Sequence, residues 1–252
     1  MVKLRGAFSE LLSLVILNTF VNLYSGKSER CRANIGFLID SSGSVKKGGW
    51  DTMIEFVLKI AKTLDIKEDE TQIAVTKFSH TSELLIKFSE YTNYTSFENA
   101  VEGLRYIPGL GTNTDWGINV SLTQMFNENN GMRKSTPNAL ILMTDGDCTC
   151  ACTASDDTCT RCKDFSCASQ GMPCDCTKAQ FRYWNKVFTE DKVPAIKLIG
   201  IGIEPLPDNG VELIKLFVGK DDYYDKNIDG ILDPNFIKEL SVCDSKLHIL
   251  SR

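Results

Sequence analysis

An aspartate and two serines stand at alternate positions directly after an apolar run, as Asp40, Ser42 and Ser44 in the sequence FLIDSSGSV. Alternate side chains of a loop can turn toward one point, so this spacing offers one carboxylate and two hydroxyls to a single hard cation. All three groups supply oxygen, the ligand atom that Mg²⁺, Mn²⁺ and Ca²⁺ prefer in proteins. The pattern therefore predicts part of a divalent metal site.

Two other stretches can complete such a site. The loop GLGTNT offers Thr112 at the start of an expected helix, and the apolar run LILMTDG leads to Asp145. Oxygen-only ligation with few carboxylates suits Mg²⁺ or Mn²⁺, which prefer octahedral geometry and keep some water ligands, and Ca²⁺ is a further candidate. Two carboxylates balance the charge of the ion, while hydroxyls are weak donors, so the metal remains electrophilic. Such a site is suited to binding an acidic group.

The elements that must position these residues follow from the periodicity of the apolar residues. Strands are predicted at residues 35–39, 72–78, 83–88, 139–143 and 195–201, and helices at residues 50–64, 96–104, 115–126, 177–188, 211–217 and 234–242. This alternation indicates an α/β fold with an open, doubly wound, mostly parallel sheet and helices on both faces. Binding sites of such sheets form beyond the carboxyl ends of the strands, so Asp40 and Asp145 are expected at the same edge.

Three motifs in this order, DSSGS, GTNT and TDG, each follow the expected element. Together they resemble the von Willebrand factor A domain, a family that includes the inserted domains of integrins and carries a metal-ion-dependent adhesion site. The resemblance covers residues 31–243 and implies the Rossmann-like fold of that family.

Carried over by position, the resemblance implies which residues hold the metal. Ser42 and Ser44 would coordinate it directly, and Thr112 would join them in the ligand-bound state. Asp40 and Asp145 would act directly or through water.

The rim around the metal would include Gly111 and Asp115. The family usually has glycine or alanine where this chain has Asp115, so an additional negative charge is expected there, which either strengthens cation binding or discourages acidic ligands. A simpler interpretation of the motifs also stands, because serine, threonine and aspartate are favoured helix caps. In that case Asp40, Ser42 and Thr112 would only begin the helices that follow them.

Ten cysteines indicate an oxidising compartment. Cys31 precedes the first strand and Cys243 ends the last helix, and the family commonly joins two such cysteines in a disulfide. The other eight lie in an insertion at residues 147–177, where the family usually has a short loop. They fit disulfide staples, whose connectivity is open because eight cysteines allow about a hundred pairings. Zinc binding and redox exchange, which the spacing CTRC also permits, are the alternatives.

Residues 1–26 carry two early cations, an apolar stretch and a small-residue exit, which is typical of a secretory signal peptide. Polar residues interrupt the run of about 20 apolar residues that a membrane anchor needs, although an anchor or a buried helix remains the alternative. In a secreted chain Asn93, in the sequence NYT, is a candidate glycosylation site, and Asn119 is a weaker one. The net charge of −5 argues against a nucleic-acid surface.

A nine-residue acidic stretch, DKNIDGILD at 225–233, resembles the start of an EF-hand calcium loop. The bidentate glutamate expected at the twelfth position is replaced by Phe236, and Pro234 interrupts the turn. A polar loop that leads into the last helix is the competing interpretation.

Catalytic motifs are not evident. The chain has two histidines, His80 and His248, and neither lies in the context of a hydrolase triad or a zinc-binding helix. We therefore expect a secreted, extracellular binding module, not an enzyme, that captures an Asp or Glu of a protein ligand through a divalent cation, with neither nucleic acid nor a membrane span involved. The alternatives are a disulfide-stabilised matrix component in which the metal mainly stabilises the fold, and an intracellular regulator of a chaperone-like or chelatase-like machine.

Overall fold

The computed structural model describes residues 32–64, 66–109, 111–146, 178–191, 195–204, 206 and 208–224. Several predicted features lie outside the described residues: the signal at 1–26, Cys31, Cys243, the insertion at 147–177, the acidic loop at 225–233 and the helix at 234–242.

Apolar runs form the strands of a six-stranded sheet with the order β3-β2-β1-β4-β5-β6. The strands are β1 (Ala33–Asp40), β2 (Thr71–Phe78), β3 (Ser82–Ile86), β4 (Asn138–Thr144), β5 (Ile196–Gly202) and β6 (Tyr223–Tyr224). β3 is antiparallel to β2, which it follows after a short turn, and every other pairing in this sheet is parallel. The central strands β1 and β4 are buried along their whole length, as expected for parallel strands covered on both faces.

In the part of the chain that the structure describes, five α-helices cover the sheet: α1 (Lys46–Thr63), α2 (Tyr94–Glu102), α3 (Thr114–Val120), α4 (Lys178–Lys186) and α5 (Asp208–Val218). Alternate residues of a strand point to opposite faces, so β1 contributes Phe37 to one apolar core and Leu38 to the other. The first core contains Phe56 of α1 and Phe97 of α2. The second contains Ile118 of α3, Phe181 of α4 and Phe217 of α5. The predicted α/β architecture with helices on both faces is confirmed.

The helix predicted at 115–126 is present, but its second half is not α-helical. The α-helix ends at Val120 and continues as a wider π-helical turn over Ser121–Met125. Ser121 donates its hydroxyl hydrogen to the carbonyl oxygen of Gly117 at 3.0 Å, a contact that bends helices. The turn packs directly on β1, because a Cβ at Gly36 would lie only 2.3 Å from Sδ of Met125.

Other boundaries differ because their ends lack an apolar pattern. α1 begins at Lys46, four residues before the predicted start, in a stretch of lysines and glycines. α4 is extended by a second π-helical turn, Val187–Asp191, and a short 3₁₀ turn, Glu128–Asn130, precedes β4. The two-residue strand β6 is too short to show any periodicity and was not predicted. No helix in the described part of the chain is long and apolar enough to cross a membrane.

Candidate metal centre

The ends of β1 and β4 bring the first and third motifs together. Ile39 pairs with Met143, so the next residues, Asp40 and Thr144, leave the two strands side by side. The Thr144 hydroxyl donates a hydrogen bond of 2.6 Å to Oδ2 of Asp40, which is fully buried. Asp145 follows Thr144 and is also buried. The two carboxylates expected at one edge of the sheet therefore lie near the same end of neighbouring strands.

The loop after β1 folds back on the first carboxylate. Oδ1 of Asp40 accepts a hydrogen bond of 2.7 Å from the backbone N–H of Ser42. The hydroxyl oxygens of Ser42 and Ser44 lie 3.0 Å apart, with Ser42 buried and Ser44 half-buried. The alternate spacing in the sequence thus produces two adjacent hydroxyls beside a buried carboxylate.

The helix-cap interpretation of the first motif is wrong. The residue that precedes α1 is Val45, and the helix has no side-chain cap. Asp40 instead binds the N–H of Ser42, which belongs to the loop and not to the helix. The polar side chains of this loop therefore make their contacts at the edge of the sheet. None of them caps the beginning of α1.

The second motif is held against the first by backbone hydrogen bonds. Gly109 donates its N–H to the carbonyl of Ser41 at 3.0 Å and accepts from the N–H of Gly43 at 3.1 Å. A Cβ at Gly109 would lie 2.2 Å from Oγ of Ser79, so glycine is required for this close approach. Thr112, three residues further along, is buried.

Asn113, and not Thr112, caps α3. Its side chain accepts a hydrogen bond from the backbone N–H of Trp116 at 3.2 Å. Its own N–H donates to the carbonyl of Ser79 at 2.6 Å, which ties the loop to the end of β2. The interpretation of Thr112 as only a helix cap is therefore wrong. Gly111, which precedes Thr112 and was predicted for the rim, is buried.

The third motif turns away from the sheet at Gly146. The hydroxyl of Thr144 accepts a hydrogen bond of 3.0 Å from the N–H of Gly146, so one side chain joins both ends of the motif. Gly146 has a φ of +74°, and a Cβ there would lie 2.6 Å from Cα of Gly210 in α5. Both the backbone conformation and the contact with α5 therefore require glycine at position 146.

The electrostatics favour a cation. Burial raises the pKa of Asp40 to about 7, the nearby Asp145 charge raises it too, and hydrogen bonds from Thr144 and Ser42 lower it. Two carboxylates buried side by side are costly unless positive charge or hydrogen bonds compensate them. A divalent cation would supply that charge.

The donor set also fits a hard cation. The described residues contain no group of three or more His, Cys, Asp and Glu side chains that could hold a metal without hydroxyls. The candidate ligands are two carboxylates with the hydroxyls of Ser42, Ser44 and Thr112, which are oxygen ligands of the kind preferred by Mg²⁺, Mn²⁺ and Ca²⁺.

The carboxylate of Asp115 forms a hydrogen bond with a residue outside the three motifs. One carboxylate oxygen accepts a hydrogen bond of 3.1 Å from the indole N–H of Trp184 in α4. Burial raises the pKa of Asp115 to about 6, and the bond from Trp184 lowers it. The additional negative charge expected at the rim is thus half-buried and connected to the helix that follows the insertion.

The structure adds contacts that sequence reasoning missed. The hydroxyl of Tyr106 donates to the carbonyl oxygen of Ser42 at 2.8 Å, although no motif includes this tyrosine. Thr144 belongs to the TDG motif, but the sequence predicts no role for it in the site. The signals for these two residues are membership of a motif for Thr144 and proximity in the sequence to the GLGTNT loop for Tyr106.

The candidate glycosylation site lies on the surface. Asn93 is exposed and precedes α2, where its side-chain oxygen accepts a hydrogen bond of 2.9 Å from the N–H of Ser96. The amide nitrogen, which would carry a glycan, is the other atom of the same group. Capping and glycosylation are therefore compatible at this position.

Comparison with known proteins gives the following matches. A family model described as the von Willebrand factor type A domain matches residues 34–169, more than half of the chain. Vitrin from Homo sapiens is 35% identical over 117 residues, which are 45% of this chain and 16% of vitrin. The chain therefore spans a small part of the length of that relative.

Two solved structures share the fold. Proximal thread matrix protein 1 from the mussel byssus, with a zinc occupied MIDAS motif, gives a TM-score of 0.59 at 15% identity, covering 84% of this chain and 46% of that chain. Manganese-loaded TRAP protein from Plasmodium vivax gives a TM-score of 0.61 at 16% identity, covering 84% and 74%. At these identities the likeness concerns the fold alone.

Proposed function

Because the chain belongs to the von Willebrand factor type A domain family, we propose that it binds a divalent cation and through it captures an acidic residue of an extracellular protein. The observation that carries the proposal is the pair of adjacent hydroxyls, Ser42 and Ser44, beside the buried carboxylates of Asp40 and Asp145. This arrangement combines enough negative charge to attract a divalent ion with neutral ligands that leave the ion electrophilic. The proposal is a binding module, not an enzyme.

Each residue has a defined part in the proposed site. Ser42 and Ser44 would coordinate the cation through their hydroxyls, and Thr112 would join when a ligand is bound. Asp40 and Asp145 would balance its charge, directly or through water. The bound cation would supply a positive centre for the carboxylate of the partner.

Mg²⁺ and Mn²⁺ are the proposed cations, with Ca²⁺ as a weaker candidate. They suit a site of few carboxylates and several hydroxyls, because both favour octahedral oxygen ligation. Two proteins of the same fold are described as carrying zinc or manganese, which supports metal binding in general but does not select the ion for this chain.

The proposed location is extracellular. The cysteine count of this chain fits an oxidising compartment, and one solved structure of the same fold is that of a thread matrix protein from the mussel byssus. We propose that Cys31 pairs with Cys243 and that the insertion at 147–177 lies beside the metal site, since it follows Asp145 directly. Mass spectrometry of alkylated, unreduced protein tests the compartment: few modified thiols are expected, and ten would contradict secretion.

Calorimetric titration of the purified chain with MgCl₂ and MnCl₂ tests the metal site. Wild type should bind one ion, and Asp40→Ala should abolish binding while circular dichroism stays unchanged. Asp51→Ala is the matched control, because Asp51 is an exposed carboxylate that pairs with Lys47 on α1. Equal cation binding by wild type and Asp40→Ala would contradict the proposed site.

A binding screen against immobilised extracellular matrix proteins tests the ligand. Binding should depend on Mg²⁺ or Mn²⁺, disappear with EDTA and disappear in Asp40→Ala. If the cation raises the thermal midpoint and yet leaves every protein in the screen unbound, the structural role in a matrix is favoured over ligand capture.

A further inference from the structure

One hydroxyl group contacts the loop that carries both serines. Tyr106 donates its hydroxyl hydrogen to the carbonyl oxygen of Ser42 at 2.8 Å. Burial and the nearby charge of Asp40 raise the pKa of Tyr106. The hydrogen bond holds the backbone of the residue that supplies the first of the two serine hydroxyls.

The ring of Tyr106 is fixed independently of this hydrogen bond. Its centroid lies 5.9 Å from that of Trp50, a buried residue of α1. Three residues after the tyrosine, Gly109 exchanges backbone hydrogen bonds with Ser41 and Gly43. The position of the hydroxyl is therefore set by α1 on one side and by the loop pairing on the other.

The same loop ends at a strained residue. Lys46 has a φ of +57°, in the left-handed region that residues with a side chain rarely adopt. Such conformations persist where the surrounding contacts hold them in place. The hydrogen bond from Tyr106 to Ser42 holds the other end of the segment 42–46.

We propose that Tyr106 is a positioning residue of the metal site, which keeps the hydroxyls of Ser42 and Ser44 together and so favours Mg²⁺ and Mn²⁺ over Ca²⁺. This inference depends on the proposed function, since it concerns the same cation.

Cation selectivity follows from the size of the ions. Mg²⁺ requires ligands at about 2.0–2.1 Å in near-ideal octahedral geometry, whereas Ca²⁺ accepts about 2.3–2.6 Å in flexible geometry. A loop that is free to open would therefore lose affinity for the small cation first. Groups that orient metal ligands typically contribute about 10- to 100-fold to metal affinity.

The variant Tyr106→Phe tests the inference, because it removes the hydroxyl and keeps the ring on Trp50. Titration calorimetry with MnCl₂ and with CaCl₂ should show Mn²⁺ affinity reduced about tenfold and Ca²⁺ affinity reduced less. The ratio of the two affinities is the decisive measurement, since a general loss of structure would weaken both ions alike.

The matched control is Tyr94→Phe. The hydroxyl of Tyr94 donates to Oε1 of Glu98 within α2 at 2.7 Å, so this variant loses a comparable hydrogen bond outside the loop. It should leave both affinities unchanged.

The outcomes separate the inference from the proposed function. Cation binding by wild type with an unchanged affinity ratio in Tyr106→Phe would overturn the inference alone, as would an equal shift in Tyr94→Phe. Absence of cation binding by wild type would overturn the proposed function and the inference with it.

Discussion

Thr144 donates its hydroxyl hydrogen to Oδ2 of Asp40 across 2.6 Å, joining two strands at residues 104 positions apart in the chain. Thr144→Val keeps the shape of the side chain and removes this donor. Because hydrogen bonds to charged groups contribute about 1.5–3 kcal/mol, the free energy of unfolding should fall by about 2 kcal/mol. Urea unfolding at about pH 8 is the measurement, since Asp40, with a pKa of about 7, is then mostly ionised.

Thr144→Ser is the control for this change, because serine keeps the hydroxyl and loses only a methyl group. It should retain most of the stability that Thr144→Val loses. Equal loss in both variants would mean that packing of the methyl group, and not the hydrogen bond to Asp40, is responsible.

Asp115→Asn tests the cost of a buried charge. Asp115 has a pKa of about 6 in the folded protein against an ordinary value of 3.8, so the folded state binds the proton more tightly. Wild type therefore loses stability as the pH rises from about 4 to 6. Asparagine carries no charge and still offers Trp184 an oxygen, so the variant should be more stable than wild type at about pH 7.

Urea unfolding in EDTA at several pH values measures this difference. The stability advantage of Asp115→Asn should shrink to nothing toward about pH 4, where Asp115 of wild type is protonated in the folded state. Asp51→Asn, which alters an exposed carboxylate, should show no such trend. An advantage that is constant with pH would contradict burial as its cause.

Gly117→Ala tests the contact between α3 and β2. A Cβ at Gly117 would lie 2.8 Å from Cβ of Phe78, close to the backbone of a buried strand that has little room to move. Overpacking of this kind should reduce the free energy of unfolding by about 1–3 kcal/mol. Chemical denaturation of the purified variant is the measurement.

Gly48→Ala, in α1, is the control, because this change should raise the free energy of unfolding. A Cβ there has no heavy atom within 4 Å, so the change should stabilise the helix by about 0.5–1 kcal/mol. If Gly117→Ala were as well tolerated as Gly48→Ala, the close packing of α3 on β2 would be contradicted.

Asn93→Ala and Thr95→Ala together separate a glycan from a helix cap. Both variants destroy the sequence NYT, so both should lose the glycan when the chain is secreted from a eukaryotic cell. Only Asn93→Ala also loses the oxygen that accepts from Ser96, which should cost about 1 kcal/mol of stability.

Intact mass and urea unfolding of the deglycosylated proteins are the measurements for this pair. An unchanged mass of wild type after glycosidase treatment would contradict glycosylation at Asn93. Equal stability of the two variants would contradict the cap.

The placement of Asp40 and Asp145 at one edge of the sheet was predictable, because each of them follows an apolar run. A buried parallel strand has a strong sequence pattern, and its carboxyl end has a fixed place in this class of fold. The GTNT motif also predicts Thr112 for the site, and Thr112 is buried three residues after Gly109, which exchanges backbone hydrogen bonds with Ser41 and Gly43. These predictions required only the order of strands and helices along the chain.

The contacts of Tyr106 with Ser42 and of Trp184 with Asp115 were not predictable in this way. Each joins a loop or helix to a residue 64 or 69 positions away, and no periodicity encodes such a pairing. Asp115 is an example. The sequence indicated an additional negative charge at the rim, but the hydrogen bond between Asp115 and Trp184 depends on how α4 packs.

The distance in sequence between β1 and β4 also determines when a cation can act during folding. Asp40 and Thr144 become neighbours only after the intervening chain has been ordered enough to pair these two central strands, because they are 104 positions apart. Such long-range pairing is slow and late in folding. A cation bound by both strands would therefore act chiefly by slowing the unfolding of the finished domain, so the concentration of free cation would govern how long the domain persists once folded.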